Sequence, residues 1–165
     1  MHAFITSMAG TNDEDLNGHV HFDTDSIFFV CDNSTTGHIC NDFRKFVPGT
    51  LRQSGRRLTT AHGTGNEELQ EGTVRLRLID DDDREHIFLL ENCILLPESP
   101  VNLLSTRRLA EKFLDADGNP DENTRINSGY STHVLSWNFG KYKNTFPTPI
   151  SGLPELLFDE GFNKF

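Results

Sequence analysis

Hydrophobic and polar residues alternate in the middle of the chain, where Val74, Leu76 and Leu78 are separated by polar residues. A period of two places the apolar side chains on one face of a strand and leaves the other face in water. A mostly apolar segment over 86–96 follows an acidic run at 80–85. The pattern therefore predicts a β-hairpin in which the acidic run is the exposed turn.

A second apolar segment, 27–31, is uninterrupted and leads directly into Asp32. Such a run is typical of a strand buried on both faces, which would hold its last residue rigidly. The residues that follow, 33–36, carry amide and hydroxyl groups that can hydrogen-bond one carboxylate. The same pattern is also typical of an ordinary strand-to-turn junction, where Asp, Asn and Ser are common. Asp32 is therefore either a positioned acid or a turn residue.

Outside these segments the pattern divides the chain into three parts. Residues 1–21 are polar, acidic and aperiodic, which predicts a flexible leader. The folded domain is expected over 22–113, with one short helix from about 107 to 113 before its end. Beyond it, 114–165 are rich in Asn, Gly, Pro and Ser with scattered aromatic residues, and we expect a tail or linker.

Composition and charge narrow the class of protein. The 165 residues include 13 glycines and 7 prolines, which favours a turn-rich, mostly β protein over a helical bundle. Fifteen basic against 25 acidic residues give a net charge of −10, which repels nucleic acid phosphates and anionic lipid surfaces. We therefore expect neither a direct nucleic acid partner nor a membrane partner.

The cysteines and the lengths of the apolar segments indicate in which cellular compartment the protein is expected. Cys31, Cys40 and Cys93 are an odd number without a dense framework, so we expect reduced, partly buried thiols. No segment approaches the roughly 20 apolar residues that a membrane-spanning helix needs. The first residues lack a basic stretch followed by an apolar run. A soluble, cytoplasmic protein is expected.

Two candidate metal sites do not fit known ligand spacings. The first combines imidazole and thiol groups: His19, His21, Cys31, His38 and Cys40. Its spacing matches no zinc pattern. The second, over 115–119, is similar to a calcium loop, but Pro120 occupies the position where that loop requires glycine. We therefore predict neither a metal nor another cofactor.

Four short segments follow one another in a characteristic order. In the first, an apolar strand leads to Asp32, with Thr36, His38 and Asp42 behind it. The others are Gly-Thr-Val at 72–74, Leu-Leu-Pro at 95–97 and Asn-Leu-Leu-Ser at 102–105. Together they resemble the protease segment of a Copia-type LTR-retrotransposon polyprotein, whose active loop reads Asp-Ser-Gly-Ala-Ser/Thr-x-His-Met-Thr-x-Asp. The Asp-Asn start of the loop is similar to the microalgal branch of that family.

The resemblance implies a fold and an activity. The fold would be all-β, a small closed barrel of the retropepsin type with one short C-terminal helix, assembled as a two-fold homodimer. The activity would be that of an aspartic endopeptidase that cuts its own Gag-Pol polyprotein, in the cytoplasm or within virus-like particles. Because this chain offers one acid motif, Asp32 of a second copy would complete the catalytic pair.

The resemblance also implies roles for particular residues. Asp32 would be catalytic, and the active-site loop would be supported by Asn33, Ser34, Thr35 and Thr36. Gly63, Gly65 and Gly72 are candidates for a mobile flap over the substrate, although glycines at these positions are equally typical of plain turns.

One departure from the family pattern favours an alternative. Ser34 stands where aspartic proteases have glycine, and a positive φ there would strain a residue with a Cβ by about 1–2 kcal/mol. The alternative function is a catalytically inactive, protease-like remnant that acts as a polyprotein spacer or dimerisation module.

Overall fold

The computed structural model of the chain describes residues 27–57, 59–60, 63–64 and 68–160. Within these residues the chain is mostly β-structure with one short α-helix, as the sequence predicts. The predicted leader over 1–21 lies outside the described residues. The strands are β1 (Ile27–Asp32), β2 (Ile39–Cys40), β3 (Arg52–Gln53), β4 (Thr59–Thr60), β5 (Gly63–Thr64), β6 (Gln70–Ile79), β7 (Glu85–Leu95), β8 (Leu103–Ser105), β9 (Arg125–Ser128), β10 (Thr132–Trp137), β11 (Tyr142–Pro147) and β12 (Glu155–Glu160). A 3₁₀ turn (Phe43–Lys45) follows β2, and the helix α1 (Thr106–Lys112) follows β8.

Seven strands form the main sheet in the order β12-β1-β8-β2-β7-β6-β3. The pairs β1–β8 and β2–β7 are parallel, whereas the other pairs are antiparallel. β12 pairs with β1 along four residues and also with β6 through two. The pairings therefore run in a ring through β12, β1, β8, β2, β7 and β6. Strand β1, which ends at Asp32, has a neighbour on each side.

The β6–β7 hairpin confirms the period-two prediction. Val74 and Leu76 are fully buried, and the alternating polar residues Thr73, Arg75 and Arg77 are half-buried. The acidic run forms the turn between the two strands, but the structure corrects one part of the prediction, because Asp80 is buried. Its carboxylate accepts hydrogen bonds from the backbone amides of Asp82 and Arg84, and it also pairs with the side chains of Arg84 and His86. Burial is tolerated because every one of these partners offsets the lost hydration.

Residues from both halves of the described chain form one hydrophobic core. Phe29, Leu76 and Leu104 from the main sheet pack in one cluster with Trp137 and Phe158. The three cysteines lie in the same cluster as free thiols. Burial raises the pKa of the Cys40 thiol to about 11 and raises those of the other two above their ordinary value. The cysteines are therefore packing residues.

The segment after 113, for which the sequence predicts a tail or linker, contributes four strands within the described residues. β9, β10 and β11 form a three-stranded antiparallel sheet in the order β11-β10-β9. Leu135 and Trp137 of β10 are buried in the main core, and β12 is a strand of the main sheet. These four strands were not predicted from the sequence, because the apolar residues of the segment are few and widely spaced.

The acidic turn attaches the second sheet to the first. The carboxylate of Asp81 accepts hydrogen bonds from the amide and the hydroxyl of Thr145, at 2.8 and 2.7 Å. The side-chain amide of Asn144 donates to the carbonyl of Ile79 at 2.6 Å. The ring of His86 packs against Trp137 with 5.0 Å between centroids. The turn is therefore an anchor between the two sheets.

None of the helices in the described part of the chain has the length and apolar character needed to span a membrane.

Candidate active site

Asp32 lies at the carboxyl end of β1, as the apolar run predicts. Phe29 and Cys31 of that strand are buried in the core, whereas Asp32 is partly exposed. Asp32 is the register partner of Ser105 on the parallel strand β8, and the amide of Cys31 donates to the carbonyl of Pro154 just before β12. The backbone that carries the carboxylate is therefore fixed on both sides.

The carboxylate of Asp32 is held by one loop residue. The backbone amide of Ser34 donates to Oδ1 at 2.8 Å, and the hydroxyl of Ser34 donates to the same oxygen at 2.6 Å. Among the described residues, none donates to Oδ2, and no second carboxylate hydrogen-bonds Asp32. One chain therefore presents a single oriented carboxylate with an oxygen left for another ligand.

The strain considered for Ser34 does not arise. Positive φ occurs at five described non-glycine residues, and Ser34 is not one of them. The backbone at this position therefore accepts a residue with a Cβ at no conformational cost. Instead of straining the loop, the serine adds a hydroxyl donor that glycine would lack.

The loop after Asp32 is fastened to the junction of β8 and α1. The hydroxyl of Ser105 donates to the carbonyl of Thr35 at 2.8 Å, and its backbone amide donates to Nδ1 of His38 at 3.0 Å. The guanidinium of Arg108 donates to the carbonyl of Thr36 at 2.8 Å. Ser105 is also the N-cap of α1. One junction therefore orients the helix and the loop together.

His38 is a neutral acceptor in this arrangement. It is buried, and burial together with the nearby cations Arg108, Lys112 and Arg56 lowers its pKa to about 3. Because Nδ1 accepts a hydrogen bond, the ring proton is assigned to Nε2. The imidazole therefore keeps its loop contact across the neutral and mildly acidic range.

The sequence predicts only part of this arrangement. His38 and Ser105 fall within the segments that carry the family resemblance, but neither is among the predicted site residues. The role of Arg108 could not be predicted from the sequence, because its hydrogen bond to the loop joins residues 72 positions apart. Residues so far apart leave no local sequence pattern.

The four residues predicted to support the loop differ in their exposure to solvent. Asn33, Ser34 and Thr36 are exposed, and Thr35 is half-buried with its hydroxyl donating to the carbonyl of Gly37 at 3.1 Å. Their exposure leaves the loop accessible to another molecule.

Two cavities flank the loop. The larger, of about 550 Å³, lies between Asn33, α1 and residues 116–126. The smaller, of about 110 Å³, lies against loop residues 35–38. Open space therefore borders the loop both at its start, Asn33, and at residues 35–38.

Gly63 and Gly72, two of the glycines predicted to form a flap, lie in different strands. Gly63 lies in β5, which pairs with β4 in a two-stranded hairpin, whereas Gly65 lies outside the described residues. Gly72 is buried within β6, where a Cβ would meet Thr50 Oγ1 at 3.0 Å and Phe46 Cδ1 at 3.1 Å. Close packing explains the glycine at 72.

The candidate metal sites gain no support. His19 and His21 lie outside the described residues, and among the described ones no group of three or more metal-ligating side chains is arranged to hold an ion. The carboxylate of Asp115 instead accepts hydrogen bonds from Thr124 and from the amide of Phe139, at 2.8–2.9 Å. Asp115 therefore organises a turn.

Comparison of the chain with protein-family models finds no matching family, and comparison with curated proteins finds no match.

Proposed function

We propose that this chain is one subunit of a retropepsin-type aspartic endopeptidase, in which Asp32 from each of two copies forms the catalytic pair. The observation that carries the proposal is the geometry of Asp32: a partly exposed carboxylate at the end of a buried strand, with Oδ1 held by Ser34. The loop behind this carboxylate is fastened from 70 residues away by the bond from Ser105 to the carbonyl of Thr35, which supports a positioned acid more than a simple turn.

Two further features support the proposal. The ring of strand pairings through β12, β1, β8, β2, β7 and β6 is compatible with the small closed barrel that the resemblance implies. The Asn-Leu-Leu-Ser segment leads directly into α1, which is the order expected of the family.

The chemistry requires two carboxylates. Peptide hydrolysis needs a base that activates water and an acid that protonates the amide nitrogen. Two carboxylates about 3 Å apart cannot both ionise, so they share one proton and meet both needs as a coupled pair. Asp32 of each copy would alternate between these roles, and the exposed loop 33–36 would form the contact between copies. Dimerisation is therefore a condition of activity.

The test compares the protein with its Asp32→Asn variant on a fragment of its own polyprotein at mildly acidic pH. We expect cleavage by the protein alone, loss of cleavage in the variant, and inhibition by an aspartic-protease inhibitor. Asp121→Asn is the matched control, because Asp121 is exposed and its side chain makes no contact to the loop. Sedimentation establishes whether each variant is dimeric.

The alternative is an inactive remnant that acts as a spacer or dimerisation module. The departure from the family pattern at Ser34 is the sequence feature that favours it, although the backbone there is not strained. A dimer that cuts nothing would decide for the alternative, whereas equal cutting by the protein and its Asp32→Asn variant would contradict the role proposed for Asp32.

A further inference from the structure

The smaller cavity lies against the loop that follows the candidate acid and has a mixed lining. Loop residues 35–38 form one side, and the apolar side chains of Ile39, Leu69 and Ile94 form another. Arg56 and Arg57 complete the lining. Its volume of about 110 Å³ is well below the roughly 300 Å³ at which small-molecule sites begin. A single amino-acid side chain fits this space.

Arg56 is fixed against the loop. One of its guanidinium nitrogens donates to the carboxylate of Glu71 at 3.0 Å and to the carbonyl of Asn92. A Cβ on Gly37 would lie 3.1 Å from the other terminal nitrogen of Arg56. The glycine therefore leaves room for the guanidinium beside the loop, and Glu71 offsets its charge.

Arg57 differs from its neighbour. It is exposed and has no ion pair or hydrogen bond with the described residues. Its guanidinium therefore lines the cavity without a carboxylate partner among the described residues, in a chain with a net charge of −10.

The charged groups that act on His38 are cations, and two of them are paired with carboxylates. His38 lines the cavity, and the charged groups that act on it are Arg108, Lys112 and Arg56, all of them cations that lower its pKa. Glu71 pairs with Arg56 at 3.0 Å and lies 3.9 Å from Arg52, and Glu111 pairs with Arg108 at 3.0 Å. Of the two arginines that line the cavity, Arg57 is therefore the one left to pair with an anionic group.

We propose that this cavity is a substrate subsite that selects an acidic side chain, with glutamate as the best fit. The methylene stem of a glutamate would pack on Leu69 and Ile94, and its carboxylate would pair with Arg57. The inference rests on the proposed function, because it takes the occupant to be a residue of the peptide held for hydrolysis at Asp32. Arg57 is then a specificity-determining residue.

The experiment measures binding separately from cleavage. The Asp32→Asn protein is titrated with fluorescent octapeptide mixtures in which one position at a time is fixed as Glu, Gln, Leu or Lys, and binding is followed by anisotropy. We expect the Glu mixture to bind about fivefold more tightly than the Gln mixture at one position, as a partly exposed ion pair would give. Adding Arg57→Glu should remove that preference and favour Lys instead.

Lys143→Glu is the matched charge reversal, because Lys143 is exposed on the second sheet and remote from the cavity; it should leave the Glu preference unchanged. Equal binding of Glu and Gln at every position, a preference for Leu that Arg57→Glu does not alter, or no binding at all would overturn the subsite. Cleavage of the same peptides by the protein with Asp32 intact is measured in parallel. Glu-selective binding without cleavage would keep the subsite and remove the proteolytic function, whereas cleavage without Glu preference would do the reverse.

Discussion

The backbone amide of Ser105 donates a 3.0 Å hydrogen bond to Nδ1 of His38, which lies 67 residues earlier in the chain. Both groups are buried, so neither can exchange its partner for water without opening the fold. The bond joins the loop after Asp32 to the start of α1. It therefore makes the position of the candidate acid depend on a residue outside the loop.

Replacing His38 by phenylalanine should destabilise the protein by about 1–3 kcal/mol, because the amide of Ser105 would be left buried without an acceptor. Urea unfolding measures the loss. If the loop position depends on this bond, peptide cleavage should fall further than the unfolded fraction explains. A variant with unchanged stability would contradict the role assigned to His38.

The same histidine predicts a pH dependence. Its pKa is about 3 in the folded chain and about 6.5 when unfolded, so at intermediate pH the unfolded chain binds a proton that the folded chain does not. Its contribution to stability is therefore present above pH 6.5 and declines as the pH falls towards 3. Unfolding free energies of the protein and of His38→Phe, compared across that range, should converge at low pH. Parallel curves would exclude the buried neutral imidazole.

Ser34→Ala tests the hydroxyl on Oδ1 of Asp32. The variant keeps the backbone amide donor but loses the 2.6 Å hydroxyl bond. Because Ser34 is exposed, we expect the free energy of unfolding to change by no more than about 0.5 kcal/mol. Cleavage should fall about tenfold, as removal of one positioning hydrogen bond would give. Ser34→Gly serves as a second variant that also lacks the hydroxyl, and equal full activity in both would remove the serine from the proposed machinery.

Mixing the protein with its Asp32→Asn variant should lower activity beyond simple dilution. Random exchange of subunits at equal amounts leaves about a quarter of the dimers with both acids. Cleavage per molecule of unmodified protein should therefore fall by about half after exchange, since half of those molecules would then sit in mixed dimers. Activity that is unaffected by the variant would mean that a single chain is sufficient.

The attachment of the second sheet to the main sheet should weaken at low pH, because Asp80 in the connecting turn is then protonated. Burial opposes its ionisation, but hydrogen bonds from His86, Arg84 and Asp82 outweigh that effect and hold the pKa of Asp80 well below its usual range. The stability it contributes is therefore present above about pH 4, the unfolded value, and is lost as the pH falls below that.

The single tryptophan reports on this attachment, because Trp137 packs against His86. Asp80→Asn should lower the free energy of unfolding at neutral pH and flatten its dependence below pH 4, measured by tryptophan fluorescence. Asp83→Asn, in the same turn but exposed, should leave both unchanged. A flat profile in the unmodified protein would contradict the prediction.

A chain that ends at residue 113 should not fold. It would lack Trp137 and Phe158, which are buried in the core, and the strand β12 beside β1. Trp137→Ala alone should cost about 3–5 kcal/mol, whereas Trp137→Phe should cost less because it leaves a smaller cavity. Circular dichroism and urea unfolding measure both. Cooperative unfolding of the shortened chain would mean that the second half is dispensable.

Sequence patterns predicted the strands in which neighbouring residues determine which side chains are buried. The alternation around Val74 and Leu76 predicted the β6–β7 hairpin, and the apolar run before Asp32 predicted β1. Both signals arise because neighbouring residues must share or alternate faces.

The remaining features depend on distant residues. Nothing near Leu156 and Phe158 indicates that they pair with β1, and the contact between Ser105 and His38 has no sequence pattern of its own. Asp80 and Asp83 are identical in a sequence, yet one is buried and paired while the other is exposed. Burial of a charged group is decided by which partners the fold assembles around it, so the strand and turn at Asp32 were predictable and the distant contacts that hold them were not.

The antiparallel neighbour of β1 is also the last described strand to be synthesised. Until Glu155–Glu160 have been synthesised, a growing chain therefore carries Asp32 on a strand whose outer edge has no β12 beside it. The candidate acid gains its final geometry only after Glu155 and the residues beyond it have emerged. Any hydrolysis that needs a rigid carboxylate is thereby postponed until the second half of the chain has been made.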